Sequence, residues 1–189
     1  MRRVNWRHLA IVALALSVSA CGMRPAAAGE LTVNGHAVSL ALYDSLVRAE
    51  QHRAEQVGIR VDATSRAGRT RLASIETSVI HELVRDAVVE QMAQARGIRI
   101  TPAQLEQRLA AAEQAFGGAS VFDQALQSTG LKKSDFSALL RYRMLETQLA
   151  QVNAGEVNLQ IDSAVSRARV VVTIGPCASG RPYPACLAT

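Results

Sequence analysis

The chain has 189 residues, of which 21 are basic and 16 acidic, giving a formal net charge of +5 and a pI near 9.6. Arg2, Arg3 and Arg7 lie ahead of a short apolar run; without them 18 basic residues face 16 acidic ones, so the pI argues little for nucleic acid, and no basic stretch interleaved with aromatics is present. Aromatics are only 4% and alanine dominates the apolar fraction, which disfavours a sheet sandwich and points to helices packed through small side chains.

After the arginines, residues 9–16 (LAIVALAL) form an apolar run of signal-peptide length, too short to span a bilayer. The next segment, Val18-Ser19-Ala20-Cys21-Gly22, resembles the lipobox of bacterial lipoproteins. In that motif an aliphatic residue and two small ones fit a peptidase cleft, and the cysteine thiol takes a diacylglyceryl group. The alternative is an ordinary secretory signal ending near residues 26–28, with Cys21 incidental. On the lipobox reading residues 1–20 are removed and Cys21 carries the lipid, whose methylenes each contribute about 0.8 kcal/mol of membrane binding. Residues 21–30 then form a short tether, residues 31–152 a helical domain and residues 153–189 a C-terminal segment. The expected location is the bacterial cell envelope, outside the cytoplasm and lipid-anchored.

Leu31-Thr32-Val33 reads as a short strand entering a turn at Asn34-Gly35, with Ser39 placed to cap the following helix. That helix runs to about residue 57, with Leu42, Leu46 and Ala49 on one face and Tyr43 and Val47 beside it. Residues 58–70 (GIRVDATSRAGRT) hold no period and several turn formers, so a loop is expected. Residues 70–96 carry two adjoining apolar stripes, Ile75, Val79, Leu83 and Ala87 beside Ile80, Val84, Val88 and Met92, which make this the central helix, ended by Gly97. Thr101-Pro102-Ala103-Gln104 has the form of a capping box with proline in the first turn. It opens a helix with Leu105, Leu109, Ala112 and Phe116 on its apolar face, stopped by Gly117-Gly118. Ser120 with Asp123 is expected to cap a shorter helix bearing Phe122 and Leu126, closed by Gly130. Residues 133–152 place Phe136, Leu139, Tyr142, Leu145, Leu149 and Val152 at helical spacing; Val157, Ile161 and Val165 suggest one more helix, and residues 170–174 (VVVTI) a strand.

Cys177 and Cys186 flank a stretch rich in turn formers and, outside the cytoplasm, are expected to form a disulfide. Closing so short a loop stabilises by about 2.7 kcal/mol on the chain-entropy account. The alternative, a metal site, would be half a zinc site, since no histidines stand nearby. His81-Glu82-Leu83-Val84-Arg85 begins like a zinc-protease motif but has Arg85 where the second histidine belongs. No nucleophile elbow, phosphate loop or paired-carboxylate motif is present, and no cofactor or metal is expected. Lys132-Lys133, Arg141 and Arg143 read as solvated positions.

The order of these pieces resembles the N-terminal chaperone domain of SurA and its relatives, the exported foldases that include PrsA-like lipoproteins. The resemblance rests on Thr32-Val33-Asn34-Gly35 with Ser39; Leu83-Val84-Arg85-Asp86; Ala95-Arg96-Gly97-Ile98 into Ile100-Thr101; Phe122 to Leu126 with Thr129-Gly130-Leu131 and Asp135-Phe136; and Leu139-Leu140-Arg141. Two departures are Lys132, where the family usually has a hydroxyl N-cap, and residues 58–70, which match no motif.

The resemblance implies a mainly α fold: a helical bundle with a small two-stranded β element in which the C-terminal strand returns beside Leu31–Val33. It also implies non-enzymatic handling of unfolded, newly exported proteins. The 37 residues after Val152 are too few for a parvulin-type prolyl isomerase domain, so no isomerase activity is expected. An adaptable apolar surface would be needed, with Met92, Phe116, Phe122, Tyr142 and Met144 as candidates, each of which could equally be core. The rival reading is an interaction or structural lipoprotein that docks one dedicated envelope partner.

Overall fold

The computed structural model describes residues 29–152 and 156–188; Cys21, the apolar run and residues 21–28 of the tether lie outside the described residues. The first strand, β1 (Leu31–Val33), turns at Asn34 and Gly35, whose φ values of 54° and 82° give the two-residue geometry that matches the twist of paired strands. It pairs antiparallel with β2 (His36–Ala37) on one side and with β3 (Val170–Val172) on the other, Leu31 facing Val172 and Val33 facing Val170. The returning strand therefore lies where expected, but the sheet has three strands in the order β2-β1-β3 rather than two. Two residues are too few to carry an alternating pattern, so β2 leaves no signal in the sequence. Leu31, Val33 and Val172 are buried on the inner face, whereas Val171 is exposed on the outer.

Ser39 caps α1 (Leu40–Gln56), its hydroxyl accepting the N–H of Leu42 at 3.2 Å. The long central helix α2 (Arg66–Ala95) starts before the expected residue 70, because Ser65 caps it by accepting the N–H of Gly68 at 3.0 Å. Ahead of it the Asp62 carboxylate accepts the N–H and hydroxyl of Thr64 at 2.8 and 2.7 Å, folding the loop into a tight turn. Gly68 is buried beneath that turn, and a β-carbon there would collide with the Asp62 carbonyl. The glycine that reads as a turn former is thus a helix residue whose missing side chain admits the loop. At the other end Gly97 takes a φ of 71° and donates to the Gln94 carbonyl, while Ile98 donates to that of Ala93, satisfying the last turn of α2.

The capping box opens α3 (Pro102–Ala115) as expected. By contrast Ser120 does not cap α4 (Ala119–Thr129): Gly118 is the residue before the helix, and its N–H bonds the Glu113 carbonyl at 2.8 Å to close α3. One junction serves both helices, which places Ser120 inside the first turn. At α5 (Lys133–Val152) the Asp135 carboxylate accepts the Lys132 N–H at 3.1 Å, a capping contact made from the third position in place of a hydroxyl N-cap. A last helix, α6 (Val157–Arg167), precedes β3, and two short 3₁₀ helices, Gly175–Ser179 and Ala185–Leu187, form the tail.

The main core joins the inner face of the sheet to α1, α2 and the tail, through Leu31, Val33, Leu46, Ile80, Leu83, Val84 and Val172 among others. A second cluster joins α2 to α5 and α6 through Val89, Ala93, Leu145, Leu149, Val157 and Ile161. Both stripes of α2 are used, which is why so apolar a helix is central. Cys177 and Cys186 form the expected disulfide, and the tail contributes to the main core, where both cysteines and Leu187 are buried.

Candidate functional site

An incompletely covered apolar surface lies where α3 and α4 meet α5. No residue of α3 is fully buried; Leu105, Leu109 and Ala112, its expected core face, are only half-buried. Phe122 is fully buried and receives Phe116 and Phe136 edge-on, with ring centroids 5.4 and 4.9 Å away, the geometry that sets a positive ring edge against a negative ring face. Phe116 itself remains 53% exposed and Val121 49%. Lys133 pairs with Glu113 and ties the end of α3 to the start of α5. Beside this, Arg108 of α3 and Leu140, Met144 and Gln148 of α5 line an open cleft of about 270 Å³. Half-buried leucine and methionine side chains beneath a polar rim make a surface that can adapt to apolar chains of different shape.

Of the five side chains proposed from sequence, Phe116, Phe122 and Met144 fall on elements of this face. Met92 does not: it is half-buried between α2 and α6, at a separate cleft with Leu159 and Ala164. Tyr142 packs against the main core, and its hydroxyl titrates above the usual range because burial, then the Glu90 and Asp86 carboxylates, disfavour the phenolate. Sequence reading missed Val121 and Leu140 as surface residues. Val121 was legible in principle, since it sits about 100° around α4 from the inward-facing Phe122.

The α2–α5 seam above the core carries charge. Arg85 bonds Glu146 at 2.8 Å, Arg141 bonds Glu90 at 2.6 Å, and Arg143 bridges Glu82 and Glu146 at 3.2 Å each. Arg141 and Arg143 are therefore cross-helix partners rather than merely solvated positions, and Lys133 is paired as well. The Arg85 guanidinium holds the Glu146 carboxyl below its ordinary range. Asp86, only 4% exposed, forms no ion pair among the described residues, while the neighbouring guanidinium groups of Arg85 and Arg143 bond Glu146, Glu82 and Asn158 and favour its charge only at a distance. Burial, then the Glu82 charge, pushes its carboxyl up to about 7. His81, on the exposed side of α2, meets Tyr183 of the tail edge-on rather than a metal-binding partner.

Residues 4–150 match the family model described as the SurA-like N-terminal domain. The chain belongs to the SurA-like N-terminal domain family. The matched domain is the non-catalytic one, distinct from the parvulin-type isomerase domain of such foldases, and the family's association is with extracytoplasmic chaperones. Helices α1 to α5 lie almost wholly within the match; α6, β3 and the tail lie beyond it. Neither a search of curated proteins nor one of solved structures finds a match.

Proposed function

We infer that this SurA-like chain is a chaperone-like lipoprotein, held to a membrane of the bacterial envelope by lipid on Cys21, that binds apolar segments of unfolded or newly exported proteins without isomerising prolyl bonds. The contact surface is the α3–α5 face: Phe116 and Val121 at its edge, Phe122 supporting Phe116 from below, Leu140 and Met144 in the adjoining cleft. The observation that carries the reading is that α3 buries no residue completely while Phe116 stays 53% exposed against a buried aromatic. An exposed aromatic beside other partly covered apolar side chains offers a contact point for an apolar segment of a partner.

The test is aggregation suppression by the full chain, purified in detergent, on a chemically unfolded model client. The chain should slow aggregation, and Phe116→Ser with Val121→Ser should weaken that effect several-fold while lowering the melting temperature by only some degrees, since about half of each side chain is already exposed and the main loss is the Phe116–Phe122 ring contact. Pull-down from a detergent extract separates the rival: many substoichiometric proteins support client binding, whereas one stoichiometric partner replaces it with a dedicated docking role.

A further inference from the structure

Residues 57–71 carry an unusual collection of exposed groups. Arg60, Arg66, Arg69 and Arg71 are all exposed, and the ion pairs among the described residues engage other cations: Arg53, Arg85, Lys133, Arg141 and Arg143. Asp62, the acid within the segment, is occupied by Thr64 and has Arg69 beside it. Arg69 donates to the carbonyls of Ala63 and Thr64, and Arg71 to that of Arg60, so these two arginines stitch the loop to α2; Asp62 offsets part of the Arg69 charge, while Arg60, Arg66 and Arg71 enter no ion pair among the described residues.

The position of these charges is as informative as their number. The first turn of α2 contains no acidic residue, and Arg66 and Arg69 stand at the positive end of the helix, where the backbone dipole disfavours cations. Four arginines against the single acid Asp62 leave the segment net positive, and a local rule broken in this way points to a partner outside the fold. Val57 and Ile59, 69% and 43% exposed, stand directly ahead of Arg60. Aliphatic tips flanked by arginines suit the boundary between anionic headgroups and acyl chains, where both kinds of group are satisfied.

We propose that this loop and the first turns of α2 form a second membrane contact, resting on anionic phospholipid headgroups with Val57 and Ile59 toward the acyl boundary. The proposal rests on the lipid anchor at Cys21. The first described residue, Gly29, lies against Ile174, and the following Gly175 packs on Glu76 of α2 and Tyr43 of α1. From Glu76 to Arg69 is two helical turns, about 10 Å. Residues 21–28 span roughly 28 Å at full extension. The anchor therefore keeps the basic end of α2 close to the lipid surface, and the patch orients the domain on it.

The experiment uses the full chain with Ile59→Cys, labelled with an environment-sensitive bimane and reconstituted through its own anchor into phosphatidylcholine vesicles with or without phosphatidylglycerol. With Cys21 acylated and Cys177 bonded to Cys186, the chain should take one label. Two labels would reveal a free Cys21 and overturn the anchor reading, and this second contact with it. Emission should shift to the blue in the anionic vesicles, return on raising salt, and lose roughly half its shift or more in Arg60→Gln with Arg66→Gln, two positions whose side chains hold no loop bond. Equal emission in both vesicles, or a shift indifferent to the two substitutions, would overturn the proposal. So would a response to a soluble RNA oligomer without one to the anionic vesicles, which would assign the patch to nucleic acid.

Discussion

Asn34 joins three segments that lie far apart in the chain. Its N–H donates to the Arg169 carbonyl at 2.8 Å, its side-chain oxygen accepts the Arg169 N–H at 2.9 Å, and its side-chain nitrogen donates to Gln91, which itself donates to the Val33 carbonyl at 2.9 Å. The Val-Asn-Gly piece, a weak signal alone, thus fastens the hairpin to α2 and to the returning strand. Asp86 is the opposite case, a residue the surrounding charges leave out. Its folded-state carboxyl titrates near 7 against an ordinary 3.8, so between those values the folded chain holds a proton that the unfolded chain releases. Stability contributed by the protonated form falls as pH rises through that window, and above it the fold carries a buried carboxylate. Asp86→Asn removes this dependence. Its melting temperature should exceed the parent's by several degrees near pH 8, with the gain shrinking toward zero only below about pH 3, where the parent is protonated in both states. A gain of equal size at both values would show that the substitution acts through packing rather than ionisation.

At the scale of elements, what could be read from sequence was whatever has a local cause. The capping box at Thr101, the stop at Gly97 and the double stripe of α2 each follow from residues within a turn or two of one another, and each stands as expected. The start of α2 was misread because Gly68 owes its place to the Asp62 turn lying on it, a tertiary cause that mimics a loop signal. The candidate surface was legible only in part for the same reason: whether Met92 or Met144 faces outward depends on which helix crosses above it. The tail shows the limit most clearly. Its composition of turn formers gives no hint that Cys177, Cys186 and Leu187 are core residues. A measurable difference follows. Replacing both cysteines by alanine should cost about the 2.7 kcal/mol of loop closure. Replacing both by serine should cost more, by roughly 1–3 kcal/mol for each buried hydroxyl left without a partner. Urea unfolding of the two double variants tests this, and equal midpoints would mean that the tail does not pack in the core.

The whole molecule closes on itself through the part that the family match leaves out. Residues 4–150 carry the family pattern, yet the second core cluster is completed by Val157 and Ile161 of α6, and the main one by Val172, Leu187 and the disulfide. The strand β1 would otherwise present an unpaired edge of apolar character beside the tether, a template for pairing with other chains. Burying Val172 and Leu187 is worth about 1.5–3 kcal/mol each, and the disulfide and the β1–β3 backbone pairing add to that. Their sum rivals the 5–15 kcal/mol that typically separates a folded domain from its unfolded state. A chain cut after Arg169, losing β3 and the tail while keeping every α-helix, should therefore lose its cooperative thermal transition and aggregate through the bared edge. The Cys177→Ala, Cys186→Ala variant, with the strand in place, should still unfold in one step. Calorimetry on the two distinguishes the causes: a truncated chain with the parent's melting temperature and transition width would show that the helices alone make the stable unit and that the returning strand only decorates it.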